Sequence, residues 1–133
     1  MTDARNKTLQ EKLDPETFAS VMGQAVWLMS MSEAHRDLPI KSVEKLIAPA
    51  LLLKQFKLYA QGKRPLAFLT WATVSDAVAK RFHDGDRQLE LTDWRGGDNL
   101  IVVECVSPFQ PKEEIERTFL KDFARALHDQ KEN

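Results

Sequence analysis

A histidine and a serine lie three residues apart in a polar segment of this 133-residue chain. His35 follows Ser32 and directly precedes Arg36, between two segments whose apolar residues have helical spacing. An imidazole titrates near neutral pH, so a histidine in a loop can act as a general base. The same pattern also suits a surface or capping histidine, and spacing alone leaves both interpretations open.

A second candidate segment begins with an acidic residue and covers residues 93–98, Asp-Trp-Arg-Gly-Gly-Asp. A carboxylate that accepts a hydrogen bond from a histidine orients the ring and stabilises the imidazolium. Asp93 is of the right type for this role, although an acidic loop without catalytic function fits the pattern too. Gly96 and Gly97 are not a phosphate-binding fingerprint, because a strand rather than a helix is predicted after them.

Two further residue types were considered for chemistry. Cys105 is the single cysteine and lies in an apolar segment, where a cysteine is usually an inert small hydrophobe rather than a nucleophile. One cysteine also excludes a disulfide framework and a cysteine-based zinc site, and we predict no metal site. Trp71 closes an apolar run, where it can belong to the core or to the wall of a ligand site.

Composition bounds the class of protein. Hydrophobic residues make up 43% and charged residues 29%, which is typical of one globular domain and excludes disordered and low-complexity classes. We expect a flexible segment over residues 1–13 and a single domain over 14–133. The net charge of −1 argues against nucleic-acid binding. No apolar run approaches the roughly 18 residues that a membrane span requires, and no secretory signal is visible, which favours the cytoplasm.

These residues must be positioned by a small set of predicted elements. Asp14, Pro15 and Glu16 are typical of a helix start. Apolar periodicity predicts, in order, helices over about 15–30 and 40–51, strands over 56–60 and 66–71, a helix over 75–82, a short strand over 88–91, a loop over 92–98, a strand over 100–106 and a helix over 112–128. Pro49 is expected to end or kink the second helix. This order predicts an α+β fold, a mostly antiparallel sheet flanked by helices.

Six motifs in this chain resemble those of the RTX toxin-activating lysine-acyltransferases, in the same order and at similar spacing. The resemblance covers about residues 23–128. The motifs are Trp27-Leu28 ahead of residues 32–36 (Ser-Glu-Ala-His-Arg), Pro49-Ala50, residues 65–72 (Pro-Leu-Ala-Phe-Leu-Thr-Trp-Ala), Val74-Ser75, residues 93–98, and Ser107-Pro108-Phe109.

The resemblance implies a reaction that composition could not supply. Members of the family transfer a fatty acyl group from acyl carrier protein to internal lysines of an RTX protoxin, have a fold similar to the GNAT acyltransferases, and are commonly homodimers. The functional histidine then falls on His35, its neighbouring serine on Ser32 and the functional aspartate on Asp93, with Arg36 and Trp94 in support. His35 would deprotonate the lysine amine while Asp93 stabilises the imidazolium, and an acyl-histidine intermediate is the rival route.

Two substrate surfaces are expected from the same interpretation. Residues 36–64 carry seven basic and two acidic side chains, a net charge of +5 that could dock an acidic carrier protein. The docking candidates are Lys41, Lys45, Lys54, Lys57, Lys63 and Arg64. No bound cofactor is expected, and the missing pyrophosphate loop agrees with a carrier-protein donor. Candidates for the acyl groove are Trp71, Trp94, Leu100, Val102 and Phe109.

Two other functions stay open at this point. One is a GNAT-like enzyme that uses acyl-CoA and a different amine, which donor assays would distinguish. The other is a non-catalytic module that binds a carrier protein, which would tolerate the loss of His35.

Overall fold

The computed structural model describes residues 13–132, so all but one residue of the predicted flexible segment 1–13 lies outside the described residues. The elements are α1 (Pro15–Ser30), α2 (Lys41–Leu53), β1 (Phe56–Gln61), β2 (Arg64–Val74), α3 (Asp76–His83), a 3-10 turn (Leu91–Arg95), β3 (Asn99–Val106) and α4 (Lys112–Glu132). The three strands form one antiparallel sheet in the order β1-β2-β3. The predicted α+β class is confirmed.

Helix α1 begins where the sequence predicts it. The Asp14 carboxylate accepts a hydrogen bond from the backbone N–H of Thr17 at 2.8 Å, and Pro15 occupies the first turn. The hydrogen bonds from Thr17 lower the pKa of the Asp14 carboxyl below its usual value. The helix ends at Ser30, and backbone hydrogen bonds from Ser32 and His35 then continue as a tight turn. This turn holds the Ser32 and His35 side chains at the end of a packed helix.

Helix α2 is longer than predicted. The helix continues through Pro49 to Leu53, so Pro49 does not end it, and a kink at Pro49 stays a prediction. Lys54 follows the last helical residue as its cap and adopts a left-handed conformation with φ of 57°. Ile47, Ala50 and Leu51 on its inner face are fully buried, and their burial offsets the backbone hydrogen bond that proline cannot donate.

The central strand β2 separates two apolar layers. Phe68 packs with buried residues of α1 and α2, whereas Ala67 and Leu69 pack with α4 on the opposite face. Thr70 lies on the Phe68 face, is fully buried, and is the register partner of Glu104 on β3. Directly opposed residues share a face of the sheet, so Glu104 faces the layer that contains α1 and α2.

The predicted strand over residues 88–91 is wrong. Residues 86–90 pair with no strand, and the 3-10 turn begins at Leu91, the last residue of the predicted strand, and extends into the predicted loop. Arg81 donates a hydrogen bond to the Gln88 carbonyl at 2.8 Å, and Asp93 accepts one from the Glu90 N–H at 2.9 Å. Side chains satisfy these backbone groups, so the segment needs no neighbouring strand.

The lengths and compositions of the helices also show whether any of them could span a membrane. Over residues 13–132, no helix is both long enough and apolar enough to cross a bilayer.

Candidate active site

Three side chains form a continuous hydrogen-bonded chain beneath the turn that follows α1. Ser32 Oγ lies 2.7 Å from His35 Nδ1, and His35 Nε2 lies 2.9 Å from Glu104 Oε1. Ser32 and His35 are each 9% exposed and Glu104 is 17% exposed. The contact between His35 and Glu104 spans 69 positions of sequence, and the register of β3 against β2 produces it.

The chemistry of the partners assigns the protons on the ring. An ionised carboxylate only accepts hydrogen bonds, so the Nε2 of His35 must carry the hydrogen that it shares with Glu104. A neutral imidazole then has its lone pair on Nδ1, which accepts from the Ser32 hydroxyl. The order is serine to histidine to glutamate, the order of donors in a catalytic triad. Such an arrangement can take a proton at Nδ1 and stabilise the charge through Glu104.

Backbone and side-chain contacts hold Glu104 in place. Its backbone N–H donates to the Thr70 hydroxyl at 3.1 Å, where the register of β2 and β3 is irregular. On its other side, a guanidinium nitrogen of Arg87 lies 4.0 Å from Glu104 Oε2. Arg87 also donates to the Val103 carbonyl, and its guanidinium lies 4.4 Å from the centre of the Phe82 ring. One carboxylate oxygen thus faces His35 while the other faces a fixed cation.

A cavity of about 630 Å³ opens over this group. Ser32, His35 and Glu104 line it, together with Arg87 from the loop before the 3-10 turn. The remaining lining residues come from the turn after α1, from Leu46 of α2, from β3, from the loop after β3 and from the start of α4, and include Ser107, Gln110, Lys112 and Glu116. Polar or charged residues make up about half of its wall, and apolar residues make up the rest.

Asp93 does not pair with His35. Both ring nitrogens of His35 bond to other residues, while Asp93 accepts from the Glu90 N–H and lies 3.5 Å from a guanidinium nitrogen of Arg81. The predicted contact is wrong because Asp93 sits in a 3-10 turn and closes that turn by binding the backbone that precedes it. A catalytic role for Asp93 stays a prediction without this contact.

The supporting residues predicted from sequence have different surroundings. Arg36 is exposed and lies in the turn beside His35. Trp94 is 2% exposed, and its carbonyl accepts a hydrogen bond from Gln55 Nε2 at 3.0 Å. Gln55, itself 2% exposed, also accepts from Arg95 Nε at 2.6 Å. Trp94 therefore belongs to a buried network that ties the 3-10 turn to the end of α2.

The five candidates for the acyl groove do not share one cavity. Val102 lines the cavity at His35, whereas Trp94 lines a second cavity beside it. Trp71 packs against Phe119 and Phe123 of α4, with ring centres 6.1 and 5.1 Å apart. Leu100 packs in the same layer, and Phe109 is 43% exposed. A single groove built from all five is therefore not present among the described residues.

The basic candidates for docking lie on several elements rather than in one row. Lys41 and Lys45 are one helical turn apart on α2. Lys57 is on β1, and Lys63 lies in the turn between β1 and β2. Lys54 follows α2, and the guanidinium of Arg64 lies 5.1 Å from the centre of the Phe109 ring.

Cys105 lies in the wall of the cavity at His35 but is poorly suited to attack. Burial raises the pKa of its thiol to about 12, with the Glu116 carboxylate adding to the shift. The thiolate is the nucleophilic form of cysteine, so a thiol with this pKa is inert near neutral pH. The interpretation of Cys105 as a small hydrophobe agrees with this.

Sequence analysis missed two residues of the site, Glu104 and Arg87. Glu104 had a signal: it is the one acidic residue in an otherwise apolar strand, and buried glutamates need a partner. Arg87 had none, because it lies in a polar loop among other charges.

Comparison with known proteins places this chain in a family. Residues 14–133 match the RTX toxin acyltransferase family, which is nearly the whole chain. The chain belongs to this family. It is an acyltransferase, and the recognition made from the six motifs is confirmed.

Individual relatives agree with this assignment. The chain is 26% identical to the RTX-II toxin-activating lysine-acyltransferase of Actinobacillus pleuropneumoniae, over 81% of this chain and 70% of the relative. It is 31% identical to the lysine-acyltransferase of Vibrio cholerae, over 71% of this chain and 63% of the relative. It is 27% identical to a protein-lysine myristoyltransferase of Kingella kingae, over 68% of this chain and 54% of the relative.

Proposed function

We propose that this acyltransferase moves a fatty acyl group from acyl carrier protein to the ε-amine of internal lysines in an RTX protoxin, in the cytoplasm of the producing cell. The names of the relatives support a lysine acceptor and an RTX toxin target. The observation that carries the proposal is the chain from Ser32 through His35 to Glu104 at the wall of a cavity. It supplies the base that a protonated lysine requires.

The reaction needs a neutral amine. A lysine at its reference pKa of about 10.4 is almost entirely protonated at pH 7, so it must lose a proton before or during attack. In our proposal the nitrogen lone pair attacks the thioester carbonyl, the C–S bond breaks, and the carrier thiol leaves. The ammonium releases one proton to solvent. His35 Nδ1 takes a second proton from the attacking nitrogen and passes it to the departing sulfur, and Glu104 stabilises the imidazolium in between.

Ser32 has a defined place in this scheme. Its hydroxyl donates to the nitrogen that must accept the substrate proton, so it can relay that proton from the amine to His35. The rival role is that of a nucleophile, with an acyl-serine intermediate, and an acyl-histidine is the other covalent route. Ser32→Ala separates the relay from the acyl-serine route. If Ser32 is a relay, the variant keeps a measurable rate because the amine or a water can reach Nδ1 of His35. If Ser32 is the nucleophile, the variant loses both turnover and the acyl-enzyme.

The proposed donor is an acidic acyl carrier protein. The basic side chains of residues 36–64 are mostly exposed and complement an acidic carrier protein. The alternatives are an acyl-CoA-dependent N-acyltransferase on another amine and a module that binds the carrier without reacting. A homodimer is also part of the proposal and rests on the family resemblance.

The test is acyl transfer in a purified system. The chain is incubated with myristoyl carrier protein or myristoyl-CoA and with a lysine-containing fragment of an RTX protoxin, and the acylated peptides are identified by mass spectrometry. The proposal expects modified lysines with the carrier protein, at least tenfold slower modification with CoA, and none with His35→Ala. Equal use of the two donors would favour the CoA enzyme, and unchanged transfer by folded His35→Ala would refute the assignment of the base.

A further inference from the structure

A second cavity, of about 510 Å³, lies beside the catalytic one and reaches the same carboxylate. It is enclosed by α2, residues 87–90, the 3-10 turn and β3. Four residues line both cavities: Leu46, Arg87, Val103 and Glu104. Arg87 stands at the boundary, where its hydrogen bond to the Val103 carbonyl and its contact with Phe82 fix it. A bound molecule can therefore approach Glu104 from two directions.

The second cavity has an apolar interior and a charged rim. Its apolar lining residues are all buried or half-buried: Leu46, Pro49, Leu89, Trp94 and Val103. Lys45, Arg87 and Glu90 also line it, and all three side chains are exposed. Charged side chains at the solvent edge of an apolar recess suit a ligand that is apolar along its length and polar at its end.

The two cavities differ in the chemistry that they offer. Apolar residues line both cavities. In the catalytic cavity the polar residues Ser107 and Glu116 are half-buried, whereas the polar residues of the second cavity other than Glu104 are exposed at its edge. Half-buried polar groups suit a polypeptide or the polar arm of a carrier. An alkyl chain placed there would leave polar groups without water or partners, which costs free energy.

We propose that the second cavity holds the fatty acyl chain of the donor, with the thioester carbonyl at the shared boundary beside Glu104 and His35. This rests on the proposed function and specifies where its donor binds. Leu89 and Trp94 then limit how many methylene groups fit, and the lysine and the carrier arm enter through the catalytic cavity. Of the groove candidates from sequence, Trp94 alone belongs to this subsite.

The first experiment fills the cavity. Leu89→Trp should shift the preferred acyl length to shorter chains in a series of carrier proteins loaded with 8- to 16-carbon acyl groups. Each methylene group excluded from the cavity should lower relative kcat/KM about fourfold, equivalent to about 0.8 kcal/mol. Leu89→Ala should relax the limit and favour longer chains.

The matched control is Leu91→Trp. Leu91 lies two residues along, is 55% exposed and does not line the cavity, so its variant should keep the length profile of the original chain. A length profile unchanged by both Leu89 variants, in protein that still transfers acyl groups, would refute the subsite while leaving the proposed function intact. No transfer by the unmodified chain with any donor would instead refute the proposed function.

A second readout does not depend on turnover. The chain has three tryptophans, and Trp27→Phe/Trp71→Phe leaves Trp94 as the single indole reporter. Tetradecanoic acid brominated near its methyl end should quench Trp94 fluorescence by contact, and Leu89→Trp in the original chain should weaken binding of the unbrominated acid at least tenfold in displacement assays. Saturable binding of the brominated acid without quenching of Trp94 would place the acyl chain elsewhere.

Discussion

Replacing Glu104 by Gln removes one negative charge from the site while keeping the size and the hydrogen-bonding ability of the side chain. In the structure this carboxylate lies 2.9 Å from His35 Nε2, and the two side chains are 17% and 9% exposed. An ion pair at this separation is worth about 6 kcal/mol at the effective dielectric of a protein surface. Because Glu104 keeps some contact with solvent, we expect about 2–3 kcal/mol of transition-state stabilisation to be lost. This corresponds to a roughly 30- to 150-fold lower kcat.

The assay is acyl transfer under saturating donor and acceptor, so that kcat and KM are separated. Glu104 acts on the reaction through His35, so its loss should lower kcat with KM nearly unchanged. Glu104→Asp keeps the charge and should recover part of the rate. Thermal unfolding checks that each variant is folded before its rate is compared.

The control removes an equal charge from the same cavity without touching the histidine. Glu116 lines the catalytic cavity, and Glu116→Gln should keep kcat within about threefold. Asp93→Asn tests the pairing of Asp93 with His35 that was expected from the sequence. From the structure we expect only a small effect on kcat, because Asp93 contacts the Glu90 backbone and Arg81. A folded Asp93→Asn that loses more activity than Glu104→Gln would refute the assignment of Glu104 as the partner of His35.

Three further predictions follow from other parts of the structure. Lys41→Glu/Lys45→Glu should weaken use of acyl carrier protein at low salt and less so at high salt, whereas Lys121→Glu on α4 should not; an effect independent of salt would contradict docking by charge. Gly97→Ala should lower Tm by about 5–10 °C, because its Cβ would lie 2.4 Å from the Val74 carbonyl oxygen, whereas Gly23→Ala has no atom within 4 Å and should keep or raise Tm. Cys105 has a thiol pKa raised to about 12, so in the folded chain iodoacetamide should modify it roughly 1000-fold more slowly at pH 8 than a cysteine of pKa 9, with a rate that rises with pH; rapid labelling of folded protein would contradict this.

The sequence by itself determined the local structure. Asp14 and Pro15 satisfy or remove the free amides at a helix start, so the start of α1 could be predicted from those residues. Apolar residues with helical or continuous spacing located the other helices and the three strands. The contact between Ser32 and His35 is also local, because residues three positions apart within one tight turn have their side chains close together.

Where local signals conflicted, tertiary contacts decided. Pro49 is unfavourable inside a helix, but the buried face around it keeps α2 helical to Leu53. Residues 88–91 alternate as a strand would, but Arg81 and Asp93 bind the backbone there and no neighbouring strand pairs with it. Propensity is worth a few tenths of a kcal/mol per residue, and such contacts outweigh it.

The choice of carboxylate for His35 was decided by the tertiary structure alone. Asp93 and Glu104 are both acidic, and both lie far from His35 in the sequence. The residues around each of them do not indicate which one lies close to His35 in the folded chain. The register of β3 against β2 sets Glu104 opposite Thr70 on the face that looks toward α1, while the 3-10 turn directs Asp93 back to its own backbone. Strand register depends on the packing of the whole sheet, because a shift of one residue would move Glu104 to the opposite face.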